Sequence, residues 1–302
     1  MNQIILLIVC FLAGMLLNRS GKLPHNSHQA LNGFIIYISL PALALLYIHN
    51  IKFSSSIILP VFMPWIVFLV LAVLMIFIFS KVFKFSKATT GCLMLTAGLG
   101  NTSFLGLPLI ETYIGKEGLA PSILLDQLGT FLVLSTLGIY AAAHYSSGST
   151  SFKVMLKRVA TFPPFIALVI AMLLRPVAYP EWFTFMLERL GSTLTPIALV
   201  SVGFQTKFSE WKGKGLPLGF GLGYKLIAAP LLVMILYYFL LRDEKTLFHT
   251  VVLESAMAPM ITGGIVAMEY DLDPELAVWM LGAGIPVSFV TIRLWHEILS
   301  LI

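Results

Sequence analysis

Charge is what this sequence lacks. Charged residues make up 11% of its 302 residues, and mean hydropathy is +0.93. A soluble domain carries about a quarter charged residues, and a buried core does not account for so large a deficit. Cysteine is nearly absent. Cys10 and Cys92 both lie inside apolar runs, which suits small core residues rather than a disulfide framework or a thiolate metal site. No HExxH pattern surrounds His49 or His249, and there is no G-x-S-x-G elbow, so an intramembrane protease or hydrolase has no support. No strand precedes Gly219-x-Gly221-x-Gly223, so those glycines read as a packing face rather than a dinucleotide site. The net charge of +5 is spread over the connections between apolar runs and makes no basic face, so no nucleic-acid partner is expected.

What the chain has instead is apolar length. Ten apolar segments cover roughly 3–17, 30–49, 56–80, 88–114, 118–145, 159–174, 182–204, 216–241, 246–269 and 275–299. A bilayer crossing takes about 20 residues at about 1.5 Å each, so the expectation is an all-α polytopic membrane protein with ten transmembrane helices. The start, "MNQIILLIVCFLAGMLLNRSGK", has no positive residue ahead of its apolar stretch and reads as a retained first span, not a signal peptide. With both termini outside, the inside loops carry eleven Lys and Arg residues and the outside loops five, the asymmetry that orients membrane proteins. The acidic "YDLDPE" loop runs against it, but acids weigh little in that rule.

The two halves resemble each other. "SLPALALLYIHNIKFS" (39–54) ends the second span and "LTPIALVSVGFQTKFS" (194–209) ends the seventh. Pro41 pairs with Pro196, and Lys52-Phe53-Ser54 with Lys207-Phe208-Ser209, all at an offset of 155. Residues 1–145 and 158–302 therefore read as a duplicated five-span unit, joined by a linker at 146–157. Five crossings per copy make the second copy inverted.

Both halves break their fourth helix. "AGLGNTSFLGLPL" (97–109) interrupts the fourth span, and the ninth, "HTVVLESAMAPMITGGIVAMEY" (249–270), breaks at Pro259 and again at Gly263-Gly264. A broken helix frees backbone N–H and C=O groups that cannot face lipid but can face a ligand. Paired breaks at matching positions are the sequence mark of a transporter's central site. The substrate site expected there comprises Asn101, Thr102, Ser103 and Pro108 from the first break, and Pro259, Thr262, Gly263 and Gly264 from the second. Asn101-Thr102-Ser103 also matches a glycosylation acceptor, but at membrane depth it is out of reach.

"GNTSFLGLPLIETYIGKEGL" (100–119) resembles the fourth-span motif of the auxin efflux carrier family, and "AMAPM" (256–260) resembles its ninth-span motif. The resemblance implies an architecture shared with bile acid:sodium symporters. Spans 1, 2, 6 and 7 would form a scaffold, and spans 3–5 and 8–10 a mobile transport unit. It also implies a homodimer in a bacterial inner membrane and, as substrate, a small organic anion carried by elevator-like alternating access. "ESAM" (254–257) resembles the acidic stretch before the crossover in the symporters, where the glutamate helps bind sodium. No other cofactor is expected. The ligands expected for a sodium ion are Glu254, Asn101, Asp126, Gln127, Thr130 and Met257; the alternative is an anion uniporter or channel driven by membrane potential, with no cation coupling. Charged residues at membrane depth cost roughly 2.5–3.5 kcal/mol each on insertion scales, which draws attention to Asp126 and Glu254. Lys225 is expected to snorkel to the inner surface, and Glu111 and Arg293 to be solvated near span ends.

Overall fold

The computed structural model describes residues 2–49, 51, 56–75, 77, 83–146, 151–206 and 215–302. Both tripeptides of the repeat signature lie outside the described residues, as do Lys81, Lys212, Lys214, residues 76 and 78–80 of the third apolar segment, and 147–150 of the expected linker.

The described residues are nearly all helical and contain no strand. We label the helices α1 (Asn2–Ser20), α2 (Ser27–His49), α3 (Ser56–Leu74), α4 (Lys87–Thr96), α5 (Thr102–Gly106 continuing through Leu107–Tyr113), α6 (Lys116–Tyr145), α7 (Phe152–Ala160), α8 (Pro163–Leu173), α9 (Glu181–Gln205), α10 (Gly215–Leu241), α11 (Lys245–Ser255), α12 (Ile261–Glu269) and α13 (Pro274–Ser300). Six of these, α2, α3, α6, α9, α10 and α13, are long and apolar enough to cross a membrane. The outer surface confirms the setting. Phe62, Val73, Phe185, Val290 and Phe239 all face outward, Phe239 at 79% exposure, where a soluble protein would place charge. The chain is a polytopic helical membrane protein.

The helices pack in two groups. In one, α1 lies along α9, and α2 packs against α8 and both halves of α9. In the other, α3 packs against the middle of α6, α10 against α11, and α4 against α12, α13 and the end of α6. The acidic loop has a structural task here. Asp273 caps α13 by accepting from the Leu276 N–H, and it accepts from the Thr89 hydroxyl on α4 at 2.7 Å.

Three helices carry a widened π-helical turn just ahead of a proline: Ile35–Ser39 before Pro41, Thr102–Gly106 before Pro108, and Tyr224–Ala228 before Pro230. Proline has no N–H to give the carbonyl one turn back, so the helix loosens there. Buried carbonyls freed this way need a donor. The Leu226 carbonyl, four residues before Pro230, accepts from the Trp295 indole N–H at 2.9 Å.

Candidate functional site

The two expected breaks cross each other. α4 ends at Thr96, and α5 starts at Thr102; α11 ends at Ser255, and α12 starts at Ile261. Between the helix ends the two strands of backbone meet as an antiparallel bridge from Gly100 to Pro259. Asn101 N–H donates to the Ala258 carbonyl at 2.8 Å, and Met260 N–H donates to the Leu99 carbonyl at 3.1 Å. The freed backbone groups thus partly satisfy one another in the interior of the protein.

Asn101 caps α5: its Oδ1 accepts from the Phe104 N–H at 3.2 Å, while its Nδ2, also buried, has no partner. The next two residues bind Asp126. Thr102 and Ser103 hydroxyls donate to Asp126 Oδ1 at 2.6 and 2.5 Å, and Gln127 Nε2 donates to Oδ2 at 2.6 Å. Asp126 is therefore a buried carboxylate held at the N-terminal end of a half-helix, where the partial positive charge favours an anion. Glu254 is fully buried. A Cβ on Gly106 would strike its carboxylate, so α5 can approach it only with glycine at that position. Both Glu254 oxygens lack a hydrogen-bond partner, as do Ser122 Oγ, Gln127 Oε1 and Thr130 Oγ1.

A cavity of about 200 Å³ opens beside the crossing. That is room for about seven waters at about 30 Å³ each, or for one small organic molecule. Phe104, Phe131 and Phe162 line it, with Phe131 and Phe162 stacked at 3.9 Å between centroids. Ser103, Asp126, Met260 and Thr262 come to it from the breaks, and Arg158 comes from α7. The first N–H groups of α12 follow Met260 here, and the first turn of any helix lacks internal acceptors.

Of the residues expected to bind substrate, Ser103 and Thr262 line this cavity, and Asn101 and Pro259 build the crossing. Thr102 faces Asp126, and Pro108 sits beyond the widened turn inside α5. Gly263 and Gly264 are packing residues, set against the Leu95 carbonyl and the Leu281 side chain. Arg158, Phe131 and Phe162 carry no local sequence signal of the site, because they come from segments distant from both breaks; Phe104 lies within the first break itself. Lys225 does not snorkel. It is 1% exposed, and its ammonium donates to the Ser255 carbonyl at 2.6 Å. Glu111 is half-buried and accepts from the Thr195 hydroxyl at 3.4 Å; Arg293 forms an exposed ion pair with Glu297 one turn on.

Of the residues expected to hold sodium, both Asp126 oxygens and Asn101 Oδ1 accept hydrogen bonds from the protein and keep further lone pairs, while the Met257 thioether is a soft donor that sodium does not favour. The described residues hold no cluster of three or more His, Cys, Asp or Glu side chains suited to a metal. Glu254, Gln127 and Thr130 retain unpartnered oxygens, and the nearby Lys225 ammonium is directed at the Ser255 carbonyl.

Two helices broken and crossed inside an apolar bundle, beside a small polar-floored cavity, define a membrane carrier. Residues 1–296 match the family described as membrane transport protein, and the chain belongs to that family, the auxin efflux carriers. Its members are transporters, not enzymes. It is 28% identical to an uncharacterized transporter of Methanocaldococcus jannaschii, over 99% of this chain and 98% of the relative. It is 25% identical to an uncharacterized transporter of Methanothermobacter thermautotrophicus, with the same coverage.

Proposed function

We propose that the protein is a secondary transporter of a small organic anion, working by alternating access. The observation that carries this is the crossing with its adjacent cavity, where Arg158 and the free N-terminal end of α12 offer positive charge to a ligand. The three phenylalanines suit an apolar body on that anion.

The finer architecture follows the same reading. Ten spans arise when α4 with α5, and α11 with α12, each count as one broken crossing, and α1 and α8 as short spans. The halves 1–145 and 158–302 are an inverted repeat. In support, Ser39 and Thr193, two and three residues ahead of the paired prolines Pro41 and Pro196, share a hydroxyl–hydroxyl hydrogen bond at 2.8 Å, so the matching segments of the two halves meet in space. The helix group α1, α2, α8 and α9 is the scaffold, and the other group moves past it in an elevator-like step. The protein is a homodimer through its scaffold helices, in a cell inner membrane, with both termini outside.

Reconstituted vesicles test this. Loaded with unlabelled anions of graded size, they should show saturable counterflow for at least one. Ohmic conductance without counterflow would instead establish a channel, and counterflow confined to cations would end the anion reading.

A further inference from the structure

We infer that the Lys225 ammonium is a tethered cation that occupies the place of a coupling ion at the crossing. This rests on the transporter reading above. In carriers built from inverted repeats, a coupling cation sits against unwound backbone and the C-terminal ends of half-helices, where carbonyls point out with no N–H partner. Here that end belongs to α11. Its last residue is Ser255, and the Ser255 carbonyl accepts from Lys225 Nζ at 2.6 Å.

The ammonium also lies at the bridge. A Cβ built on Gly100 would come within 3.0 Å of Lys225 Nζ and 3.3 Å of its Cε. The side chain thus reaches the point where the two breaks meet, and glycine at 100 leaves room for it. Two contacts aim it there. Lys225 belongs to the widened turn Tyr224–Ala228, whose flanks are fixed when the Tyr224 hydroxyl donates to the Val67 carbonyl at 2.5 Å and Trp295 donates to the Leu226 carbonyl. Burying an ammonium is costly unless opposite charge compensates it. The C-terminal end of the half-helix α11, whose Ser255 carbonyl meets the ammonium, does so.

A lysine carries three donors and no acceptor, so it can satisfy the Ser255 carbonyl as an ion would. It differs from an ion in one respect: it cannot leave. A sodium-coupled carrier empties its cation site in every cycle, whereas this one keeps its positive charge in every state.

The test is thermal unfolding of the purified protein, with sodium exchanged for choline at constant ionic strength. For the wild type the Tm should be the same in both salts. Lys225→Met removes the charge and keeps the stem; its Tm should fall in choline and rise saturably with sodium or another small cation. Lys225→Arg should resemble the wild type. A saturable, sodium-specific rise in the wild-type Tm, lost in Glu254→Gln, would overturn the inference, as would a folded Lys225→Met that no cation stabilises. If Lys225→Met does not fold, Lys225→Ala in methylammonium replaces it, and failure of methylammonium to raise its Tm counts against the inference. None of these readouts needs a substrate. Failure of the transporter reading shows separately, as absent counterflow.

Discussion

Asn101 ties the two breaks together with its backbone and caps one of them with its side chain. Its N–H reaches the Ala258 carbonyl at 2.8 Å while its Oδ1 takes the Phe104 N–H. The backbone bond is open to any residue but proline, whereas the cap needs the side chain.

Asn101→Ala should therefore leave a folded protein that does not transport. Losing an N-cap costs about 1 kcal/mol, which a protein of this size tolerates, while the loosened α5 would shift Ser103 at the cavity. Tm measured beside counterflow separates the two effects, and wild-type uptake kinetics in the variant would refute the prediction.

Gly106→Ala should destabilise the protein by about 1–3 kcal/mol, the usual range for forcing a methyl into a packed site. The added carbon would meet the Glu254 carboxylate. In a Glu254→Ala background the same change should cost much less. Equal losses in both backgrounds, from denaturant unfolding, would show that the two residues do not touch.

Trp295→Phe should cost about 1–3 kcal/mol, because it leaves the buried Leu226 carbonyl without a donor. Pro230→Ala restores a backbone N–H to that turn. The double variant should thus lose less than Trp295→Phe alone, and simple additivity in thermal unfolding would disprove the link.

Arg158→Ala should raise the KM for an anionic substrate at least tenfold, a loss of about 1.4 kcal/mol in binding, with little change in Tm because Arg158 is only half-buried. Arg158→Lys should retain part of the affinity. An unchanged KM in Arg158→Ala would remove the arginine from the substrate path.

Much of this architecture was legible in the sequence, because its signals are local. Apolar length marked the helices, and the clustered glycines and prolines marked a break in each of the two spans, at 97–101 and at 256–260 around Pro259, although the further break expected at Gly263-Gly264 falls inside α12. What was not legible depended on distance in the chain. Hydropathy placed Lys225 near a surface, but its depth is set by the widened turn and by a carbonyl 30 residues away. The same holds for the cavity wall, whose rings come from α5, α6 and the segment ahead of α8. Gly263 and Gly264 show the same dependence on distance. A glycine pair signals close approach, and only the fold reveals that the approaching groups are Leu95 and Leu281.

The bridge between Gly100 and Pro259 joins two helix pairs that are far apart in the chain by just two backbone hydrogen bonds. It acts as a rivet. Neither break can swing alone without shearing those bonds, so under the alternating access proposed above the four helix ends would travel as one piece and deliver the same binding geometry to each side of the membrane in turn. A carrier working in that way would have no inner and outer versions of its site: it would have one site and two exits.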